Sequence, residues 1–109
     1  METSDVSVAS YATDIAKYKS SIKERFYVYI FYSLKDHGLY IGFSPNLKVR
    51  LIKHAKGQVI STKLRRPLQL IHYEYSINKA DAKAREEFLK SGFERQQLKE
   101  ALKRTLKKV

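Results

Sequence analysis

The sequence predicts an α/β or α+β fold: a small sheet carrying helices, in the order β-β-α-β-α-α. Three observations point to it. Aromatic and β-branched residues crowd "FYVYIFYS" and return in "LYIGF" and "LQLIHYEYS". Stretches with apolar residues three and four apart alternate with them or follow them, opened by polar capping residues and closed by glycine. At 109 residues there is room for one domain and one core of modest size.

Residues 1–25 read as a polar extension, and residues 26–109 as the folded domain. Within the extension, "TDIAKYKSSIKE" can form a short helix from Thr13, with Ile15, Tyr18 and Ile22 at spacings of three and four. In "FYVYIFYS", Phe26, Val28, Ile30 and Tyr32 point one way, and Tyr27, Tyr29 and Phe31 the other. A strand apolar on both faces is normally central and covered on both sides. "LKDHG" turns the chain, with Gly38 expected to supply a positive φ. "LYIGF" returns as the antiparallel partner of a hairpin.

"SPNLKVRLIKHAKG" reads as a helix with Ser44 as N-cap, Pro45 at the first helical position and Gly57 closing it. Leu47, Leu51 and Ala55 are expected to form its buried stripe, with Ile52 beside them. "QVISTKLRRP" reads as a basic loop and "LQLIHYEYS" as the third strand. "NKADAKAREEFLKSG" is a helix capped by Asn78 and ended by Gly92. "FERQQLKEALKRTLKKV" is the last helix, with Phe93, Leu98, Ala101, Leu102 and Thr105 or Leu106 on one side.

Charge narrows the function. The net charge is +11, and its distribution is uneven. Residues 44–67 carry seven basic groups, Lys48, Arg50, Lys53, Lys56, Lys63, Arg65 and Arg66, and no carboxylate. Such a block is the electrostatic footprint of a polyanion-binding surface. An ordinary solvated face would not need to exclude every acid. A membrane surface is a poor partner, because no basic helix here has a strongly apolar opposite side. With no cysteine, neither a disulfide nor a thiolate zinc site can contribute. No apolar run approaches the length of a signal peptide or a membrane span, so a cytoplasmic protein is expected.

There is no Walker loop, GxGxxG, HExxH or nucleophile elbow. Carboxylates are scarce, so a metal site would hold one or two of them, which suits Mg²⁺ completed by waters and phosphate oxygens. Arg50 and His54 are four apart and share a helix face beside the Leu47/Leu51 stripe. An arginine there can clamp a phosphate with two donors, and a histidine one turn on can relay a proton. The strand tyrosines are either packing or reagents. A phenol acting as base needs cations around it, since its ordinary pKa is about 10.

Taken together, Tyr27-Val28-Tyr29, Tyr40-Ile41-Gly42, the helix arginine Arg50, Lys53-His54, "TKLRRPL" and "AREEFLK" resemble the GIY-YIG nuclease domain in its small bacterial form. The resemblance spans roughly residues 26–95. It implies a central three-stranded antiparallel sheet flanked by helices. It also implies an endonuclease that hydrolyses a phosphodiester bond with one divalent ion, Mg²⁺ or Mn²⁺. By position, Glu86 would be the metal ligand, with Glu87 as the competing carboxylate. Arg50 would hold the scissile phosphate, and Tyr29 and Tyr40 would flank the attacking water, one of them as base, assisted by His54. Lys48, Lys53, Lys56, Lys63, Arg65 and Arg66 would bind the nucleic acid.

The pattern departs from the family's in three places. Tyr27 stands where the first half-motif usually has glycine, Phe43 where repair-type members place a lysine, and no asparagine follows Asn78. The expected partner is DNA, at branched or single-stranded regions, in repair, recombination or turnover, with RNA left open. The expected state is a monomer or weak dimer. A basic binding module on the same fold, cleaving weakly or not at all, is the competing reading, and a basic adaptor for an acidic protein a more distant one.

Overall fold

The computed structural model describes residues 24–109, together with all side chains in that range except Phe93, so the expected helix from Thr13 lies outside the described residues. The sheet is built from β1 (Phe26–Ser33), β2 (Leu39–Ser44) and β3 (Leu68–Ser76), in the spatial order β2-β1-β3 with both pairings antiparallel. This is the central strand that the two apolar faces of "FYVYIFYS" predicted. Tyr29 lies opposite Gly42 and Tyr73, and Phe31 opposite Tyr40 and Leu70. A register shift between Ile30 and Phe31 leaves Ile71 as the extra residue on β3.

Five helices complete the described chain: α1 (Leu47–Ala55), α2 (Ile60–Lys63), α3 (Lys79–Lys90), α4 (Gly92–Ala101) and α5 (Lys103–Leu106). The largely aliphatic core cluster lies on one side of the sheet. Val28 and Ile30 of β1 and Leu39 and Ile41 of β2 pack there against Ala82 and Leu89 of α3 and Leu98 of α4. The opposite face carries Tyr27, Tyr29, Phe31 and Tyr40, and α1 comes over it. The fold is therefore α+β, with a hydrophobic layer that stiffens the sheet from behind the polar face.

Several local expectations are corrected. Ser44 does not cap α1. It is the last residue of β2, buried, and its Oγ bridges the backbone N–H and C=O of Asn46 at 3.0 and 2.9 Å. Asn46 is the N-cap, its Oδ1 accepting from the Val49 N–H at 3.2 Å, and Pro45 stays outside the helix. Gly57 does end α1, at φ +73°. Its N–H donates to His54 O and the Gln58 N–H to Lys53 O, the paired bonds of a Schellman closure.

In the β1–β2 turn the positive φ falls on His37, at 62°, not on Gly38. The basic stretch after Gly57 is not all loop, because α2 forms within it. Ser91 both ends α3 and caps α4, its Oγ accepting from the Glu94 N–H at 3.3 Å, so Gly92 opens a helix instead of closing one. The last helix breaks at Leu102 into α4 and α5.

The expected stripe on α1 is also wrong. Leu47 and Leu51 are only half-buried, Ala55 is exposed, and Ile52 is 45 % exposed. The one fully buried side chain on α1 is His54. The helix turns its polar Arg50/His54 face toward the sheet because the residues it meets there carry hydroxyls.

Candidate active site

Tyr29 is the hub of this face. Its side chain is fully buried, and its ring lies flat over Gly42, the residue opposite it on β2. A Cβ on Gly42 would fall 2.4 Å from both the phenol Cζ and the hydroxyl. The glycine of "YIG" is thus the space the tyrosine occupies. Phe31 packs edge-on against Tyr29 with ring centroids 5.5 Å apart, and Tyr40 lies 6.4 Å away.

The Tyr29 hydroxyl lies 2.8 Å from His54 Nε2, and Arg50 Nε donates to it at 3.4 Å. His54 is 1 % exposed, and its Nδ1 lies 2.7 Å from Thr62 Oγ1. Thr62, wholly buried on α2, in turn approaches the Val59 carbonyl at 3.5 Å. The ends of this chain fix its direction. A guanidinium only donates and a carbonyl only accepts. If His54 carried its proton on Nε2, the Tyr29 oxygen would accept twice and its own buried O–H would have no acceptor. The satisfied arrangement runs Arg50 N–H to Tyr29 O, Tyr29 O–H to His54 Nε2, His54 Nδ1–H to Thr62 Oγ1, and Thr62 O–H to Val59 O.

The electrostatics agree. Burial, and after it the Arg50 charge, holds His54 down at about 4, so the imidazole is neutral and has a lone pair to offer. Tyr29 is pushed above the ordinary phenol value, chiefly by burial. The Arg50 hydrogen bond pulls the other way and is outweighed. The Arg50 cation beside this tyrosine therefore does not offset its burial. Desolvation wins because the phenol is enclosed by rings and backbone.

Tyr40 is only partly buried, and its hydroxyl accepts from Ser61 Oγ at 3.3 Å. Glu86 on α3 is 7 % exposed, whereas the neighbouring Glu87 is exposed. Its carboxylate charge contributes to the raised Tyr29 value, which puts it within electrostatic reach of the hub. Lys83 and Lys90, at i−3 and i+4, approach its oxygens at 3.5 and 3.0 Å. Lys83 Nζ also sits 4.7 Å over the Phe43 ring, so a cation stands beside the residue after Gly42 although the sequence has no lysine there. Among the described residues no group of three or more His, Asp or Glu side chains converges as a ligand cage. Glu86 as a single carboxylate fits a hard cation that takes most of its shell from waters and phosphate oxygens.

The basic block divides. Lys48, Lys53, Lys56 and Lys63 are exposed, and none makes an ion pair among the described residues. Arg65 is committed to Asp36 through two hydrogen bonds, at 2.6 and 3.0 Å, which hold that carboxyl far below its usual range. Arg66 donates to the carbonyls of Lys63 and Ala55, both at 3.1 Å, and its guanidinium fills the space a Cβ on Gly57 would need. Thr62 and Ser61, both in contact with the site, were not singled out from sequence. A hydroxyl eight positions beyond a histidine has no periodic signal.

Comparison with known proteins shows which family the chain resembles. The GIY-YIG catalytic domain family matches residues 25–99. A UPF0213 protein of Staphylococcus saprophyticus is 38 % identical over 77 residues, covering 70 % of this chain and 93 % of that protein. A UPF0213 protein of Pediococcus acidilactici is 40 % identical over 77 residues, covering 68 % and 78 % respectively. The solution NMR structure of a UPF0213 protein of Bacillus halodurans is 31 % identical, with a TM-score of 0.45, covering 68 % of this chain and 81 % of that one.

Proposed function

Because the chain belongs to the GIY-YIG catalytic domain family, whose fold is in general that of a nuclease, we propose that it is a divalent-metal-dependent DNA endonuclease. Selection by structure, at branched or single-stranded regions, is the mode we assign to it. The observation that carries this reading is the hydrogen-bonded chain from Arg50 through Tyr29 and His54 to Thr62, with the Tyr40 ring packed beside Tyr29 and His54.

In the protein as it stands, Arg50 caps the Tyr29 hydroxyl, which is closed to solvent. When Arg50 turns to a scissile phosphate, it gives that phosphate two donors and releases a lone pair on the Tyr29 oxygen. A water held there passes a proton to Tyr29 while the phenol's own proton moves to His54 Nε2. Tyr29 never has to persist as phenolate, consistent with its raised pKa. The water oxygen bonds to phosphorus, and the bond from phosphorus to the leaving sugar oxygen breaks. The Arg50 charge, now paired with phosphate, no longer opposes the imidazolium that forms. Tyr40 orients the water from the open side. A divalent cation held by Glu86 would supply positive charge to the developing charge on the phosphate and leaving oxygen. Its protein ligand would be the carboxylate that Lys83 and Lys90 now pair with.

The test is nicking of supercoiled plasmid and of branched oligonucleotides with Mg²⁺, Mn²⁺ or EDTA, alongside Glu86→Ala and Arg50→Ala. Metal-dependent cutting should fall about 10²- to 10³-fold or more in both variants. Absence of cutting, with salt-sensitive DNA binding retained in Glu86→Ala, would replace the enzyme with a binding module.

A further inference from the structure

Thr62 lies in the stretch that reads as a basic loop, yet its hydroxyl reaches the far side of the His54 ring. Although its neighbours Ile60, Ser61 and Lys63 are exposed, Thr62 itself is fully buried and His54 nearly so. Its position depends on α2, whose first turn takes its backbone bonds from Val59. The Thr62 N–H donates to Val59 O at 3.1 Å, and the Thr62 hydroxyl faces the same carbonyl. With that acceptor behind it, the hydroxyl proton is drawn away from His54, leaving the oxygen lone pairs to receive Nδ1–H. Tyr29 then meets an unprotonated Nε2.

We propose that Thr62, backed by the Val59 carbonyl, is the positioning residue that sets His54 in the Nδ1–H form and so keeps Nε2 able to take the Tyr29 proton. The catalytic consequence rests on the nuclease reading, whereas the tautomer assignment does not. Orienting a histidine through its second nitrogen is a general device, and losing such a partner typically costs about 10- to 100-fold.

The experiment uses the whole chain with ¹⁵N-labelled histidine in three forms: wild type, Thr62→Val and Thr62→Ser. Ring nitrogen shifts report which nitrogen of His54 carries the proton, and plasmid nicking is measured in parallel. The wild type should show a protonated Nδ1 and a pyridine-like Nε2. Thr62→Val, close in shape but without the hydroxyl, should lose that pure signature and nick about 10- to 100-fold more slowly. Thr62→Ser should restore both.

Three results would overturn the proposal: an Nε2–H tautomer in the wild type, an unchanged tautomer in Thr62→Val, or a changed tautomer with undiminished nicking. Should Thr62→Val fail to fold, the wild-type spectrum and the serine variant still decide. A wild type that shows the expected tautomer but never cuts would remove the nuclease reading and leave the assignment of the Thr62 hydrogen bond intact.

Discussion

His54 shows how one residue changes meaning between sequence and structure. On the helix it is a polar residue beside an apolar stripe. In the fold it is the buried member of the pair, and the leucines beside it are half-exposed. Its depressed pKa has a consequence for stability. Between about 4, the folded value, and the ordinary 6.5, the unfolded chain binds a proton that the folded protein does not. Stability therefore rises with pH across that window and is lost as pH falls through it, by on the order of 3 kcal/mol. Urea unfolding from pH 4 to 7 should show this slope, and His54→Leu should flatten it. A parallel dependence in both proteins would mean that His54 titrates normally in the fold.

At the scale of elements, α1 places the site, and its two ends set where it starts and stops. Asn46, not Ser44, accepts the first-turn N–H, because Ser44 is held in β2 by its own bonds to Asn46. Asn46→Ala should cost about 1 kcal/mol, the usual value of an N-cap side chain, measured by chemical denaturation. At the other end, Gly57 and Arg66 tie α1 to α2, since the guanidinium lies in the glycine's empty space and bonds carbonyls of both helices. That tie is what brings Thr62 beside His54. Sheet register does the same work for Tyr29 and Gly42, which are thirteen residues apart in sequence and opposite each other in the pairing. The Asn78 cap of α3 is present as the sequence indicates, with Oδ1 accepting from the Asp81 N–H at 3.0 Å, and it sets the helix that carries Glu86.

For the whole molecule, the division between the aliphatic layer behind the sheet and the tyrosine-bearing face in front of it decides how the charge can act. The core elements lie behind the sheet, and the face in front carries the tyrosines and α1, with the lysines of α1 and α2 exposed. DNA affinity should fall linearly in log–log form with salt, as counterions are displaced. Lys53→Ala and Lys56→Ala should each lower the slope by about 0.9 if each neutralises one phosphate. Arg65→Ala should change it less, because that arginine is already paired with Asp36. Fluorescence anisotropy over a salt series would read this, and equal slopes for all three variants would mean that the basic block does not divide as the structure indicates.

Composition and spacing by themselves determined three strands and the main helices, the central position of β1 and the basic block, while the family was legible only through the resemblance of its ordered motifs. The elements and the block follow from local rules: β-branched alternation, three- and four-residue spacing, Asn and Gly at helix ends, and a charge block that needs no partner to be seen. Only the tertiary structure decided which face of α1 turns inward, that Arg65 and Arg66 spend their donors inside the protein, and that Thr62 completes the chain behind His54. The α1 face and the Arg65 pairing depend on partners far along the chain, Tyr29 being 25 residues from His54 and Asp36 29 from Arg65, and the nearer Arg66 and Thr62 contacts depend on how α1 and α2 meet. Periodicity reports which residues repeat on one helix. It holds no record of what the opposite surface offers, and here that surface offered a buried hydroxyl, which drew a histidine inward where leucine spacing alone would have placed the stripe.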